Sequence, residues 1–519
     1  MDYIIVQAGG KGTRLKYLTE NKPKALVPID NLPMIFHLFR KYPSKRFIII
    51  ADYKKEVLRE YLSCFADVKY QIVDASGTGT CSGISQSMDL IPNNVPFMLV
   101  WSDLILPEKL ALPAEYENTE GKPVKDYVGI SSTFPCRWSY AENRFYEERS
   151  SEHGVAGFFL FHEKSVIADV PESGELVRWM CEKGLRFEEI SLAGTREFGL
   201  LEEYEKLETV KCRPFNRILI TEDHATGSKV LIKEPVDAQG EKLAKREIAW
   251  YQKAGQLDID ILPKIYETNP LKMEYIEGRN IYDCSFGESE KRRILKSLID
   301  ALKKLHAAET VPADTFSLKE AYYNKTMDRI GKIQDLVPFA TDPYIVVNGR
   351  KCRNVFFYKR ELEKKLEELN NTCEDFAFIH GDNTFSNMMV RMNGEPVLID
   401  PRGYFGFMEL YGDIRYDWAK LYYSIVGNYD RFNLKRFRLR IEEPSAFDND
   451  KAGRVTLNIE SEGWEDMERD FFELTGADPK EIKLLHAVIW LSLTTYAWQD
   501  FDSICGAFYN GIYYLEEVW

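Results

Sequence analysis

Two stretches of this chain concentrate residues whose types and spacing suit phosphate chemistry. The first, IIVQAGGKGTRLKYLTENKPKAL (Ile4–Leu26), runs a strand-like apolar segment into a loop carrying Gly9, Gly10 and Gly12. Without side chains, such a loop lets the backbone approach a phosphate and present N–H donors to it. Arg14 shares the loop, and further on Pro23 restricts the backbone between Lys22 and Lys24, leaving Lys24 able to reach an α-phosphate. The second stretch, FIHGDNTFSNMMVRMNGEPVLIDPRG (Phe378–Gly403), sets Asp382 and Asn387 in one loop and Asp400 after the strand-like PVLI. Asp382 could accept the proton of a substrate hydroxyl while Asn387 and Asp400 coordinate Mg²⁺ on ATP. A phosphate ester made at the second site could serve as the nucleophile at the first.

The elements that must position these residues fall into two patterns. From residue 1 to 210, short apolar runs (IIV, Phe47–Ala51, Phe97–Asp103, Gly154–Phe161) alternate with helical stretches. Buried strands separated by helices predict a Rossmann-like α/β domain with a mostly parallel sheet. Glu202–Val210 reads as its closing helix and Lys211–Asn216, with Pro214, as a junction. From 217 to 519 the pattern predicts a two-lobed α+β domain. Its small lobe, about 217–278, opens with RILITED, a turn at Ala225–Ser228 and KVLIKEP as a hairpin. A helix at Lys242–Gly255 and a strand at Met273–Gly278 follow, and the lobe from about 279 to 519 reads as largely helical.

Composition narrows the partners. At 519 residues the chain is long enough for two or three cores. A net charge of −14 argues against broad electrostatic binding to nucleic acid or anionic membrane, so small molecules are the expected partners. No run approaches the ~18 apolar residues of a membrane span, and Met1 leads straight into a strand pattern with no signal-peptide character. Nine cysteines without CxxC or histidine pairing read as reduced thiols of a cytoplasmic protein.

The first stretch resembles the signature GGxGTRL followed by KPK of the family that includes sugar-1-phosphate nucleotidyltransferases and phosphocholine cytidylyltransferases. The resemblance implies that Gly9, Gly10, Gly12, Thr13 and Arg14 hold a nucleoside triphosphate and that Lys24 offsets charge as a phosphate ester displaces pyrophosphate. It also implies a Mg²⁺ ligand at the end of a central strand, Asp103 in VWSDLI, whose bland alternative is an aspartate capping a turn. The family's second carboxylate maps onto Glu197 of TREFGLLEEY, a glutamate where the family has aspartate. GTGTCSGI (Gly77–Ile84) is similar to the loop that approaches base or substrate. Glu148–Arg149 matches either a sugar-phosphate contact or a surface charge pair.

The second stretch resembles the aminoglycoside phosphotransferase and choline kinase superfamily, which has a protein-kinase fold with HGDxxxxN as catalytic loop. The resemblance implies Lys233 of VLIKEP as the strand lysine for ATP phosphates, Glu247 as its helix partner, and Asp413 of GDIRYDWAKLYYS as the anchor of the catalytic loop. The chain lacks the GxGxxG loop of protein kinases.

Together these readings predict a bifunctional enzyme using Mg²⁺, ATP and CTP or another NTP. The leading acceptor is choline or ethanolamine, for which Trp490, Tyr496, Trp498 and the acids Asp500 and Asp502 would form a cation cage. Sugar kinase joined to sugar-1-phosphate nucleotidyltransferase is the near-equal alternative, favoured by Arg402 in DPRGYFG; one catalytically inactive, regulatory domain is the third.

Overall fold

Strands Tyr3–Gln7, Arg46–Ala51 and Phe97–Trp101 carry almost unbroken apolar runs, and their central residues are fully buried. That is the composition of strands covered on both faces. In the computed structural model they lie side by side in parallel, in register Val6↔Ile49 and Val6↔Val100, with Lys69–Asp74 added in parallel beyond Arg46–Ala51. The structure describes residues 1–117, 124–207, 216–222, 227–257, 259–283, 285–443 and 452–519. Residues 208–215, which hold the expected junction and the end of the expected closing helix, and 225–226 of the expected hairpin turn lie outside the described residues. The chain divides into two compact units, Met1–Val210 with Trp498–Asp502, and Lys211–Ala497 with Ser503–Trp519.

The first unit is a Rossmann-like α/β domain with a mostly parallel sheet. Gly154–Phe161 joins the sheet antiparallel to Phe97–Trp101 and in turn pairs antiparallel with Tyr127–Ser131. One large core, with Ile5, Leu99, Phe159 and Phe161, fills one side. A smaller core matters more for the site: Leu15, Leu18, Val27, Ile29, Ile105 and Phe198 pack together. Burying these side chains, at roughly 1.5–3 kcal/mol each, draws the glycine loop, the Lys24 segment and the strands near residues 104 and 197 onto one another.

In the second unit, Asn216–Glu222, Lys229–Pro235, Leu271–Glu274 and Ile265–Thr268 form an antiparallel sheet in that order, with Ile218 opposite Lys233. The following helix spans Ala238–Gln256, four residues earlier in its start than the sequence pattern indicates. The Asp237 side chain accepts the Gly240 N–H at 2.7 Å and so sets the start, and Gly255 lies inside the last turn instead of ending it. Buried Trp250 fixes this helix to the rest of the unit: its indole N–H donates to the Ile379 carbonyl at 2.8 Å and its ring stacks on Phe378.

The remainder is built on long helices, among them Glu288–Ala308, Ile414–Ile425 and Pro479–Leu493, but it is not as uniformly helical as expected. Tyr344–Val347, Arg350–Arg353, Phe437–Glu442 and Arg454–Ile459 form a second four-stranded sheet. Its first hairpin turns at Asn348–Gly349, both with positive φ, a strong signal for a tight β-turn. Among the described residues no helix is long and apolar enough to cross a membrane.

Candidate active sites

In the first unit the chain leaves strand Tyr3–Gln7 and enters the glycine loop. Gly12 has φ +62°, and a Cβ there would lie 3.1 Å from both the Lys24 Cβ and the Thr19 Cγ2. Any side chain would be strained in backbone and crowded in space. Gly10 faces open space, and Thr13 begins the short helical turn Thr13–Thr19, closed by Leu15 N–H to the Gly12 carbonyl at 2.8 Å.

Four predicted residues converge beside this loop. Lys24, only 9% exposed, ion-pairs with Asp103. Strand Arg196–Glu197 pairs antiparallel with Leu104–Ile105, which sets Glu197 opposite Leu104 and beside Asp103. A Cβ on Gly199 would land 2.1 Å from the Glu197 Oε1 and 3.1 Å from the Arg14 Nη2, so the glycine lets acid and guanidinium close up. Burial and the Asp103 charge push the Glu197 pKa up, against the pull of Lys24 and Arg14. Two carboxylates that repel one another, with the Asp103 Oδ1 buried and without a hydrogen-bond partner, suit a hard divalent cation. Asp103 and Glu197 are therefore the residues that fit Mg²⁺.

Lys22, from the same KPK motif, does something else. It is 1% exposed and pairs with Asp500 at 3.2 Å and with Asp502, which also accepts from the Asn21 amide at 3.0 Å; these acids belong to the first unit. Burial lowers the Lys22 pKa, but the two carboxylates outweigh it and hold the lysine charged. Lys22→Met, which strands two buried acids, is expected to destabilise the unit by about 3–5 kcal/mol, measured as a lower midpoint of its denaturant transition.

The remaining candidates of this unit are less central. Gln7 donates to the Thr80 and Ser82 carbonyls at 2.7 and 3.0 Å, pinning the Gly77–Ile84 loop to the strand end. Glu148 and Arg149 are both exposed, and the neighbouring ion-paired acid is Glu147, bound to Arg137 and to Arg178.

In the second unit Lys233, 5% exposed, reaches the Glu247 Oε1 at 2.5 Å and also pairs with Asp400. The two acids outweigh burial and raise its pKa, so it stays a cation. Asn387 donates its amide to the Asp382 carbonyl at 2.7 Å, while its own backbone carbonyl accepts the Ile399 N–H at 3.0 Å, next to Asp400. This commits the Asn387 amide nitrogen and leaves its Oδ1, with the carboxylate of Asp400, as the oxygen donors that would suit Mg²⁺.

The catalytic-loop anchor differs from the expectation. Asp413 caps helix Ile414–Ile425 through the Arg415 N–H and accepts from Tyr322 Oη at 3.0 Å; it does not hold the loop. Asp417, one turn on and 0% exposed, does so. It accepts the His380 and Gly381 N–H groups at 2.9 and 2.7 Å and faces His306 Nε2 at 2.9 Å. The physical reason is register: Asp417 points from the helix flank toward the loop, whereas Asp413 is consumed by the helix end. His380 is buried, which keeps it neutral; its Nε2–H donates to the Ile399 carbonyl and Nδ1 accepts the Asp382 N–H.

Lys420, which the sequence reading missed, lies 2.8 Å from the Asp382 Oδ1. Burial would raise the Asp382 pKa, but Lys420 and then Arg402 more than offset it, leaving the carboxyl below its ordinary value. A depressed pKa keeps the base ionised at neutral pH and loses it only as pH falls. Lys420→Met removes the larger pull and leaves burial, so the acid limb of the kcat profile for phosphorylation is expected to move to higher pH.

The expected cation cage does not assemble. Trp490 is fully buried with its N–H on His486 Nε2 at 2.9 Å, and Trp498, in the first unit, packs on Phe36 and Phe65. Asp500 and Asp502 are taken by Lys22. Of the set, Tyr496 alone is open, at 59% exposure. Apolar packing claimed the aromatics, as helical spacing more often means.

Residues 3–122 match the family model described as Nucleotidyl transferase, and residues 221–444 match that described as Phosphotransferase enzyme family. The bifunctional protein GlmU of Methanococcus maripaludis is 31% identical over 120 residues, 23% of this chain and 28% of that protein. A D-glycero-alpha-D-manno-heptose 1-phosphate guanylyltransferase of Campylobacter jejuni is 34% identical over 98 residues, 17% of this chain and 42% of that protein. A probable glucose-1-phosphate cytidylyltransferase of Bacillus subtilis is 25% identical over 202 residues, 33% of this chain and 78% of that protein. The chain spans 28% of the length of the first of these relatives. The first match holds Arg14, Lys24 and Asp103 but not Glu197, and the second holds Lys233, Glu247, Asp382, Asn387 and Asp400: the chain carries a nucleotidyltransferase domain followed by a phosphotransferase-family domain.

Proposed function

We propose that the protein phosphorylates the anomeric hydroxyl of a sugar with ATP and then couples the sugar 1-phosphate to a nucleotide, releasing pyrophosphate. The observation that carries this reading is that both charge sets occur in one chain: Arg14, Lys24, Asp103 and Glu197 in one unit, Lys233, Glu247, Asp382, Asn387 and Asp400 in the other. In the second unit Asp382 takes the proton of the hydroxyl while Lys233, held by Glu247, offsets phosphate charge. Asn387 and Asp400 would hold Mg²⁺, which when bound neutralises and aligns the ATP phosphates. In the first unit the backbone of Gly9–Thr13 cradles the triphosphate, and Arg14 and Lys24 offset charge at the α-phosphate as the ester attacks. Asp103 and Glu197 would hold the metal there.

A sugar is favoured over choline or ethanolamine because the two tryptophans and both acids expected in a cage are committed elsewhere. Two relatives, a heptose 1-phosphate guanylyltransferase and a probable glucose-1-phosphate cytidylyltransferase, point the same way and differ in nucleotide. The test is ADP formation with free sugars, choline and ethanolamine, followed by mass analysis of the ester. A 1-phosphate of a sugar is the expected product; phosphocholine or phosphoethanolamine would overturn the sugar assignment.

A further inference from the structure

The surroundings of Asp382 carry more positive charge than phosphoryl transfer from ATP accounts for, given that Lys233 already serves the triphosphate. Arg402 follows Asp400 closely, and its N–H donates to the His380 carbonyl at 2.9 Å, which seats it against the catalytic loop. Its guanidinium is held by the hydroxyls of Tyr416 and Tyr404 at 2.8 and 3.0 Å. Lys420 reaches Asp382 itself and lies over the rings of Tyr423 and Tyr429. Helix Lys325–Lys332 adds Lys325 and, one turn later on the same face, Arg329, whose guanidinium donates to the Ser492 carbonyl at 2.5 Å and to its hydroxyl at 3.1 Å.

These cations sense one another. Burial, then the charges of Arg402, Arg329 and Lys420, hold the Lys325 pKa well below its ordinary value, with Glu320 the weaker counterweight. Among the described residues Lys420 has its carboxylate in Asp382, and no carboxylate lies at ion-pair distance from Lys325, Arg329 or Arg402. Arg329 donates to the Ser492 oxygens and Arg402 to two tyrosine hydroxyls, while Asp382, already paired with Lys420, is the acid whose charge Arg402 also feels. Partly buried cations that outnumber the carboxylates facing them are costly unless an anion arrives to meet them. A cationic acceptor would be repelled here, and a neutral one would leave the charge unanswered.

We infer that the phosphate acceptor is itself an anion, a hydroxyl compound bearing a carboxylate or phosphate group that Lys325, Arg329 and Arg402 hold while its hydroxyl rests at Asp382. This deepens, and rests on, the kinase reading of the second unit. The acceptor oxygen bonds to the γ-phosphorus as the bond from that phosphorus to the bridging oxygen breaks; ADP leaves with the electron pair and the hydroxyl proton passes to Asp382. Tyr496, 59% exposed, feels the same Asp382, Arg402 and Lys420 charges.

The experiment uses the full chain and matched acceptors: glucose and galactose against glucuronate and galacturonate, and against glucose 6-phosphate. ADP formation is followed with ATP and Mg²⁺. The expected result is a kcat/KM at least 10-fold higher for the anionic members, the carboxylate and phosphate arms showing which anion fits. In Arg329→Met and Lys325→Met the acceptor KM rises about 10- to 100-fold with the KM for ATP unchanged. Equal or better use of the neutral sugars overturns the inference alone, and so does a variant effect confined to the KM for ATP. Phosphorylation of none of these acceptors, with ATP still bound, overturns the inference together with the sugar-kinase reading.

Discussion

Asp382→Asn is expected to lower ATP-dependent phosphorylation by about 10²–10⁴-fold while leaving pyrophosphate release from a supplied sugar 1-phosphate at its wild-type rate. The substitution keeps the size of the side chain and its hydrogen bond from the Asn387 amide at 3.3 Å, and removes the ionised oxygen that meets Lys420. The loop itself is held by Asp417 through the His380 and Gly381 N–H groups, so its shape should survive. Initial rates of ADP formation, with near-ultraviolet circular dichroism as a check on packing, decide the matter. A loss of less than 10-fold would remove Asp382 from the role of base.

Lys24→Ala is the mirror experiment. It should lower the pyrophosphate-forming step by about 10²–10³-fold and spare phosphorylation. Lys24 is the cation paired with Asp103, while Lys22 is occupied by Asp500 and Asp502, so Lys22 cannot take its place. The loss should appear in kcat more than in KM if Lys24 acts on charge that develops in the transition state. A wild-type rate in Lys24→Ala would move that charge compensation to Arg14 alone.

Much of this was legible in the sequence because the chemistry is local there. Gly9 to Lys24 and Asp382 to Asp400 each lie within a few dozen residues, and their strands are marked by apolar runs. Asp103, Glu197, Lys233 and Glu247 were reachable through family resemblance. What escaped depends on side-chain direction and long-range packing. Asp413 and Asp417 are both acids on one helix, and only the fold reveals that the first is spent on a helix cap. Lys420 lies on the helix read as the loop anchor and reaches Asp382, and Lys325, which shares with Arg329 a helix that carried no chemical signal in the sequence, lies within reach of the Lys420 charge. The aromatic run from Trp490 to Trp498 illustrates the reverse error, a set of residues close in sequence that packing divides between two units. The second sheet of the larger unit carried a visible signal, Asn348–Gly349, that the helical character of its neighbours obscured.

The most direct test of the central claim is pyrophosphate release from free sugars, neutral and anionic, with a nucleoside triphosphate mixture of CTP, UTP, GTP and dTTP, measured with and without ATP in wild type and Asp382→Asn. The account predicts release from a free sugar only when ATP is present and Asp382 is intact, and release from the corresponding sugar 1-phosphate in both proteins without ATP. Release from the free sugar by Asp382→Asn at the wild-type rate, or failure of every sugar 1-phosphate to react, would contradict it.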